Sequence, residues 1–138
     1  MTDKTLDIST FRDAVNTLGV ALNAYEQDPS NEFVRDACIK RFEYCYEFST
    51  KMITRHLSLT EADPIEVKQM SFQDKIRRAY EIGLVRNSWD QWWHYRDDRA
   101  ATAHGYSKDR ATALMENLPA FHAEATALLT SLEHIYET

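Results

Sequence analysis

From Cys38 to His56 the chain sets Cys38, Phe42, Cys45, Ser49, Met52 and His56 at strict intervals of four and three. A strand alternates every two residues, so no sheet can hold this stripe on one face; a helix can. A second stripe, Ile39, Tyr46 and Ile53, runs beside the first. A helix that is apolar over more than one stripe is covered on more than one side. This helix, opening at Ser30 or Asn31 and running to about Leu57, therefore belongs in the middle of a bundle or at a dimer interface. The turn inventory agrees. Three Gly and three Pro in 138 residues cannot supply an all-β fold, which needs a turn signal about every 8–12 residues.

The rest of the chain reads the same way. Ser9 has the position of an N-cap, followed by Phe11, Ala14, Val15, Leu18, Leu22 and Tyr25 at helical gaps, until Pro29 and Ser30 punctuate. Gly19 lies inside that pattern, where it could permit a close helix contact. The polar stretch "SLTEADPIEVKQ" reads as a connection. Ser71 to Asp74 has the form of a capping box opening a short helix from Phe72 to about Ile82, closed by Gly83. Ser88 is the expected cap of a helix carrying Trp89, Trp92, Trp93 and Arg96 near one face, which reads as core or interface. Gly105 ends that helix, and Ser107 caps the last one, with Asp109 in its first turn. The last helix presents Ala111, Leu114, Met115, Leu118, Phe121, Ala125, Leu128, Leu132 and Ile135 to the core; Pro119 inside it predicts a kink. The sum is an all-α, up-and-down bundle of four or five helices forming one domain over residues 1–138.

With 43% hydrophobic residues the chain can build a real core, alone or as a dimer. Its net charge of −6 excludes a general polyanion binder, so any nucleic-acid contact must be local. Cys38 and Cys45, two helical turns apart, are too distant for a disulfide within a helix and read as small core residues of a reduced protein. The start "MTDKTLDIST" has no apolar core of a signal peptide, and no stretch approaches eighteen apolar residues. A soluble, cytoplasmic protein without membrane contact is expected.

One segment departs from ordinary amphipathic helix. "YRDDRAATAHGYSKD", residues 95–109, gathers two arginines, three aspartates, a histidine and two tyrosines where a helix ends. On a straight helix Arg99 and His104 would stand about 7.5 Å apart along the axis and about 140° around it, on different faces. Gly105 frees the chain to turn, so His104 can swing toward Arg99, with Tyr106 nearby. A guanidinium, an imidazole and a phenol around one small cavity suit a phosphodiester. Arg grips the non-bridging oxygens as a planar fork, and His moves a proton. With RNA the 2′-hydroxyl can be the nucleophile, so the chemistry requires neither metal nor cofactor. Arg96, Asp97 and Asp98 are candidates to line the same cleft, as is His94, for which a structural role is favoured. The structural alternative stays open: His104 caps the helix, Arg99 pairs with Asp97 or Asp98, and Tyr106 plugs the bundle end.

Arg99-Ala-Ala-Thr-Ala-His104-Gly-Tyr106 has the form R-x4-H-x-Y and resembles the signature of HEPN domains. In particular the chain resembles the bundles described as nucleotidyltransferase substrate-binding proteins, which also act as toxins in toxin–antitoxin pairs. "KRFEYCYEFSTKMITRHL", "SFQDKIRRAYEIGLV" and "WDQWWHYRDDRAATAHGYSKDRA" are similar to that family's second, third and fourth helices, in order. The resemblance implies a homodimer with two motif copies face to face, and a small nucleotidyltransferase-fold partner. It implies metal-independent endoribonuclease activity carried by Arg99 and His104, and silencing by transfer of AMP to Tyr106. It equally allows a non-catalytic subunit that presents substrate to the nucleotidyltransferase. Where many HEPN nucleases carry a polar residue after the arginine, this chain has Ala100.

Other chemistries find no support. No His follows a Glu by three residues, as a di-metal bundle requires, and paired zinc ligands, a G-x-S-x-G elbow and phosphate-binding glycine motifs are missing from the sequence.

Overall fold

The computed structural model describes residues 6–137, which form six helices. They are α1 (Ser9–Gln27), α2 (Glu32–Thr60), α3 (Pro64–Gln69), α4 (Phe72–Glu81), α5 (Trp89–Thr102) and α6 (Lys108–Tyr136). The two long helices, α2 and α6, carry most of the core, and α2 touches all five others. That position explains its double stripe. Cys38, Phe42, Cys45, Ser49, Met52 and His56 are buried on one line, and Ile39, Tyr46 and Ile53 on the other. Phe42, Tyr46, Trp92, Tyr95 and Phe121 form an aromatic knot joining α2, α5 and α6.

Helix ends follow local chemistry, with three departures from expectation. Asn31 caps α2, its side chain accepting from the N–H groups of Phe33 and Val34; Ser71 caps α4 and Ser107 caps α6. Ser9 is not a cap. It is the first residue of α1, and Asp7 accepts from both its N–H and its hydroxyl. Ser88 precedes α5, but its hydroxyl donates to Gln91 Oε1 instead of accepting from the backbone. The stretch expected as a bare connection contains α3. Asp63 caps it, accepting from Ile65 and Glu66, and Pro64 occupies its first turn, where a missing N–H costs nothing. Pro119 lies within α6, which runs through it without interruption.

Of the residues expected in the core, Ile135 is instead half exposed: on the last turn of α6 it is Tyr136, about 100° further round the helix, that packs against the core. Trp93 turns outward while Trp92 is fully buried, because adjacent residues lie about 100° apart on a helix. Gly19 does mark a close approach. A Cβ there would stand 3.0 Å from the His122 ring, whose Nε2 bonds the Val15 carbonyl at 3.0 Å.

Candidate functional site

The site is built at the α5–α6 corner. Helix α5 buries Trp92, Tyr95 and Thr102 and ends with the Ala103 N–H donating to the Ala100 carbonyl. Gly105 then reverses the chain at φ +75°, a conformation that would strain any residue with a Cβ. His104 and Tyr106 flank this glycine, and α6 begins two residues later.

Arg99 points toward α2, not along its own helix. Its Nη2 meets Glu47 Oε1 at 2.7 Å and its Nη1 meets Glu43 Oε2 at 3.2 Å. Nη1 also donates to the Thr102 hydroxyl, whose own proton goes to the Arg99 carbonyl. Nε is buried without a partner. The side chain is 24% exposed, so Arg99 is not sealed from solvent. The alternative pairing of Arg99 with Asp97 or Asp98 is thereby corrected. Those residues lie 100–200° away around α5 and face α6, where the Asn117 amide donates to Asp98 at 3.2 Å. Burial raises the Asp98 carboxyl above its usual range; the Asn117 bond opposes this, and the Asp97 charge adds to it.

His104 stands exposed on the turn and takes part in no hydrogen bond or ion pair among the described residues. It does not cap α5, since the cap residue is Ala103. Tyr106 does not plug the bundle end. It is 36% exposed and lines a cleft of about 190 Å³ between α5 and α6, with Asp97, Asp98, Arg110 and Asn117 among its walls. Burial raises the Tyr106 phenol pKa; the Asp36 and Glu43 carboxylates push it further up, against the pull of Arg35. Glu43 also pairs with Arg99, so the phenol and the guanidinium share one carboxylate neighbour.

The predicted cleft-lining residues divide between two faces of α5. His94 and Asp98 border a second cleft of about 350 Å³, which adjoins the first through Asp98 and Asn117. Asp97, Asp98 and Tyr106 line the first. Arg96 borders neither; its charge and that of Arg99 act on the Tyr46 phenol, whose pKa burial nevertheless lifts to about 12. The structure thus brings Arg99 and Tyr106 around Glu43, and His94, Asp97, Asp98 and Tyr106 along one groove.

Sequence reasoning missed three acids. Glu43 and Glu47 sit at i and i+4 on α2, a spacing common on solvated faces, and nothing local marks them as partners of Arg99. Glu124 is 2% exposed and accepts from the N–H groups of Arg86 and Asn87 and from the Trp92 indole at 2.8 Å. It pins the approach to α5 onto α6. Its signal was a carboxylate at a core register position, three residues after Phe121 and four before Leu128.

Comparisons with known proteins agree with this architecture. A Haemophilus influenzae protein described as probable ribonuclease HepT is 32% identical over 114 residues, covering 80% of this chain and 76% of that one. A solved Haemophilus influenzae structure, described as revealing the fold of a substrate binding domain of a nucleotidyltransferase, superposes with a TM-score of 0.85 at 25% identity. It covers 92% of this chain and 99% of its own. The family model described as nucleotidyltransferase substrate binding protein like matches residues 6–134. With an all-helical bundle of the matching fold and that span, the chain belongs to the nucleotidyltransferase substrate binding protein-like family.

Proposed function

We propose that this protein is the RNA-cutting half of a two-protein module whose other half is a small nucleotidyltransferase. The observations that support the reading are the turn at Gly105, on which His104 and Tyr106 are both exposed, and the Glu43 carboxylate that the Tyr106 phenol shares with Arg99. In the reaction, Arg99 binds the non-bridging oxygens of an RNA phosphodiester and offsets the charge gained in the transition state. The 2′-hydroxyl attacks phosphorus, the 5′-oxygen leaves, and His104 transfers a proton at one of those oxygens. A homodimer setting two such turns face to face doubles the site. The relative named as a probable ribonuclease supports the activity. Both proteins act in the cytoplasm.

Tyr106 is the point of control. Its phenol oxygen accepts AMP from ATP, pyrophosphate leaves, and Asp36 stands close enough to influence the departing proton. The added phosphate is negative and bulky. It fills the cleft mouth and competes for Arg99.

A second reading has its own observation. Glu43 and Glu47 already occupy Arg99, and Ala100 follows it, so the arginine can serve the fold of a non-catalytic subunit that presents substrate to the nucleotidyltransferase. The test is RNA cleavage by protein purified free of its partner. Wild type cuts, and His104→Ala, an exposed substitution that leaves the fold intact, reduces the rate at least a hundredfold. Equal inertness of wild type and variant gives the function to the second reading.

A further inference from the structure

A cleft of about 330 Å³ lies between α2 and α4, away from the α5–α6 corner. Its walls are Thr50, Lys51, Thr54, Arg55, Phe72 and Lys75. Three cations and two hydroxyls meet there without one acidic wall, in a chain of 22 acidic and 16 basic residues. Arg12, Arg35, Arg78, Arg99 and Lys108 are all engaged by carboxylates. Lys51, Arg55 and Lys75 form no ion pair with any described residue. The Asp7 carboxylate feels the Arg55 charge but makes its hydrogen bonds to Ser9.

Beside the cleft, the Tyr44 and Phe48 rings meet at a tilt of 58° with centroids 4.8 Å apart, Phe48 partly buried against the core, and the Lys51 ammonium lies 5.1 Å from the centre of the Phe48 ring. Tyr44 is half exposed. Tyr44, Phe48, Lys51 and Arg55 follow each other at gaps of four, three and four, so they run up one side of α2. An aromatic platform leading into an unneutralised basic cleft is the arrangement that holds a single strand, with bases on the rings and phosphates on the cations. The same helix presents Glu43 and Glu47 to Arg99. The cleft's centre lies about 12 Å further along the α2 axis, eight residues at 1.5 Å each.

We propose that the α2–α4 cleft is an RNA-holding site, binding the sugar-phosphate backbone of a single-stranded substrate with Lys51, Arg55 and Lys75 while Tyr44 and Phe48 stack its bases. The identity of the ligand rests on the RNA-cutting reading above; the binding is measured without cleavage. This local patch gives an acidic protein its polyanion contact.

The test is fluorescence anisotropy with a labelled single-stranded RNA oligonucleotide, over a salt series, in a His104→Ala background. Lys51→Gln/Arg55→Gln/Lys75→Gln weakens binding at least tenfold. It also flattens the slope of log K against log salt by about 2, three phosphate contacts at about 0.7 each. A charge-matched control, Lys68→Gln/Arg77→Gln/Arg86→Gln, changes exposed cations elsewhere and leaves both unchanged. Tyr44→Ala, which keeps every charge, weakens binding severalfold with the slope intact. Circular dichroism establishes that each variant is folded. The proposal is overturned if the cleft variant binds like wild type, if the control loses as much, or if the cleft variant keeps RNA and loses only its nucleotidyltransferase partner. A wild type that binds RNA through the cleft yet never cuts it would sink the nuclease reading and leave this site standing. A wild type that cuts, with a cleft variant that binds and cuts equally well, does the reverse.

Discussion

Arg99 sits between two demands. Glu43 and Glu47 hold its guanidinium in place, and the same two charges repel the phosphate it is proposed to bind. At 3.2 and 2.7 Å both pairs are close, but Glu47 is about half exposed and Glu43 is not. The exposed partner is thus the adjustable one, since its own pairing is weakened by water. Glu47→Gln keeps Glu43 to orient the arginine and removes one negative charge from the mouth. The expected result is RNA cleavage roughly three- to tenfold faster at low substrate, about 1 kcal/mol of repulsion removed, read from initial rates. Glu43→Gln instead frees the inner edge of the guanidinium and is expected to slow cutting. At this scale the sequence showed the motif but not its surroundings. The motif spacing named Arg99, His104 and Tyr106, but an arginine's partners on another helix leave no trace in its own neighbourhood. Asp97 and Asp98 were the near candidates, and helix geometry turns them the other way.

At the scale of elements, what was readable was whatever repeats. The double stripe of α2, the apolar run of α6 and the caps at Asn31, Ser71 and Ser107 all obey a local rule, and the chain follows it. The short α3 was hidden because Asp63-Pro64 serves equally as punctuation and as a helix start. Glu124 was hidden because it breaks the apolar pattern in order to satisfy donors from another element. Its carboxylate accepts three hydrogen bonds at the approach to α5. Removing it strands two backbone N–H groups and an indole. Glu124→Ala is therefore expected to cost about 3–5 kcal/mol, and Glu124→Gln, which keeps one acceptor oxygen, about 2 kcal/mol. Denaturant titration followed by Trp fluorescence measures both, since Trp92 is one of the stranded partners. The change also loosens the helix that carries Arg99, so cleavage by Glu124→Gln should fall while its secondary structure survives.

The whole molecule is closed at one end by a contact between its two longest helices. His56 on α2 bonds the Tyr136 hydroxyl on α6 at 2.6 Å, and the rings meet edge to face. His56 is 5% exposed, and burial lowers its pKa below 6.5, against the pull of Glu61. The unfolded imidazole therefore takes up its proton at higher pH than the folded one. Between these two values the unfolded chain binds more protons, so stability falls as pH drops from about 6.5 toward the folded value. Thermal unfolding at a series of pH values should show a midpoint that declines through this window. His56→Gln, which cannot titrate, should flatten the decline. The bundle class and the central place of α2 were legible from periodicity. The closing contact was not, because Tyr136 lies eighty residues away and nothing local names His56 as its partner.

One corner of the bundle is proposed both to cut RNA and to be switched off by modification. The direct measurement follows RNA cleavage before and after incubation with the cognate nucleotidyltransferase and ATP, for wild type and for Tyr106→Phe, with intact mass recorded on the same samples. Wild type is expected to gain one AMP and stop cutting, while Tyr106→Phe gains no mass and cuts throughout. Silencing of Tyr106→Phe to the same extent, or RNA left whole by wild type without its partner, would show that this corner does not carry both roles.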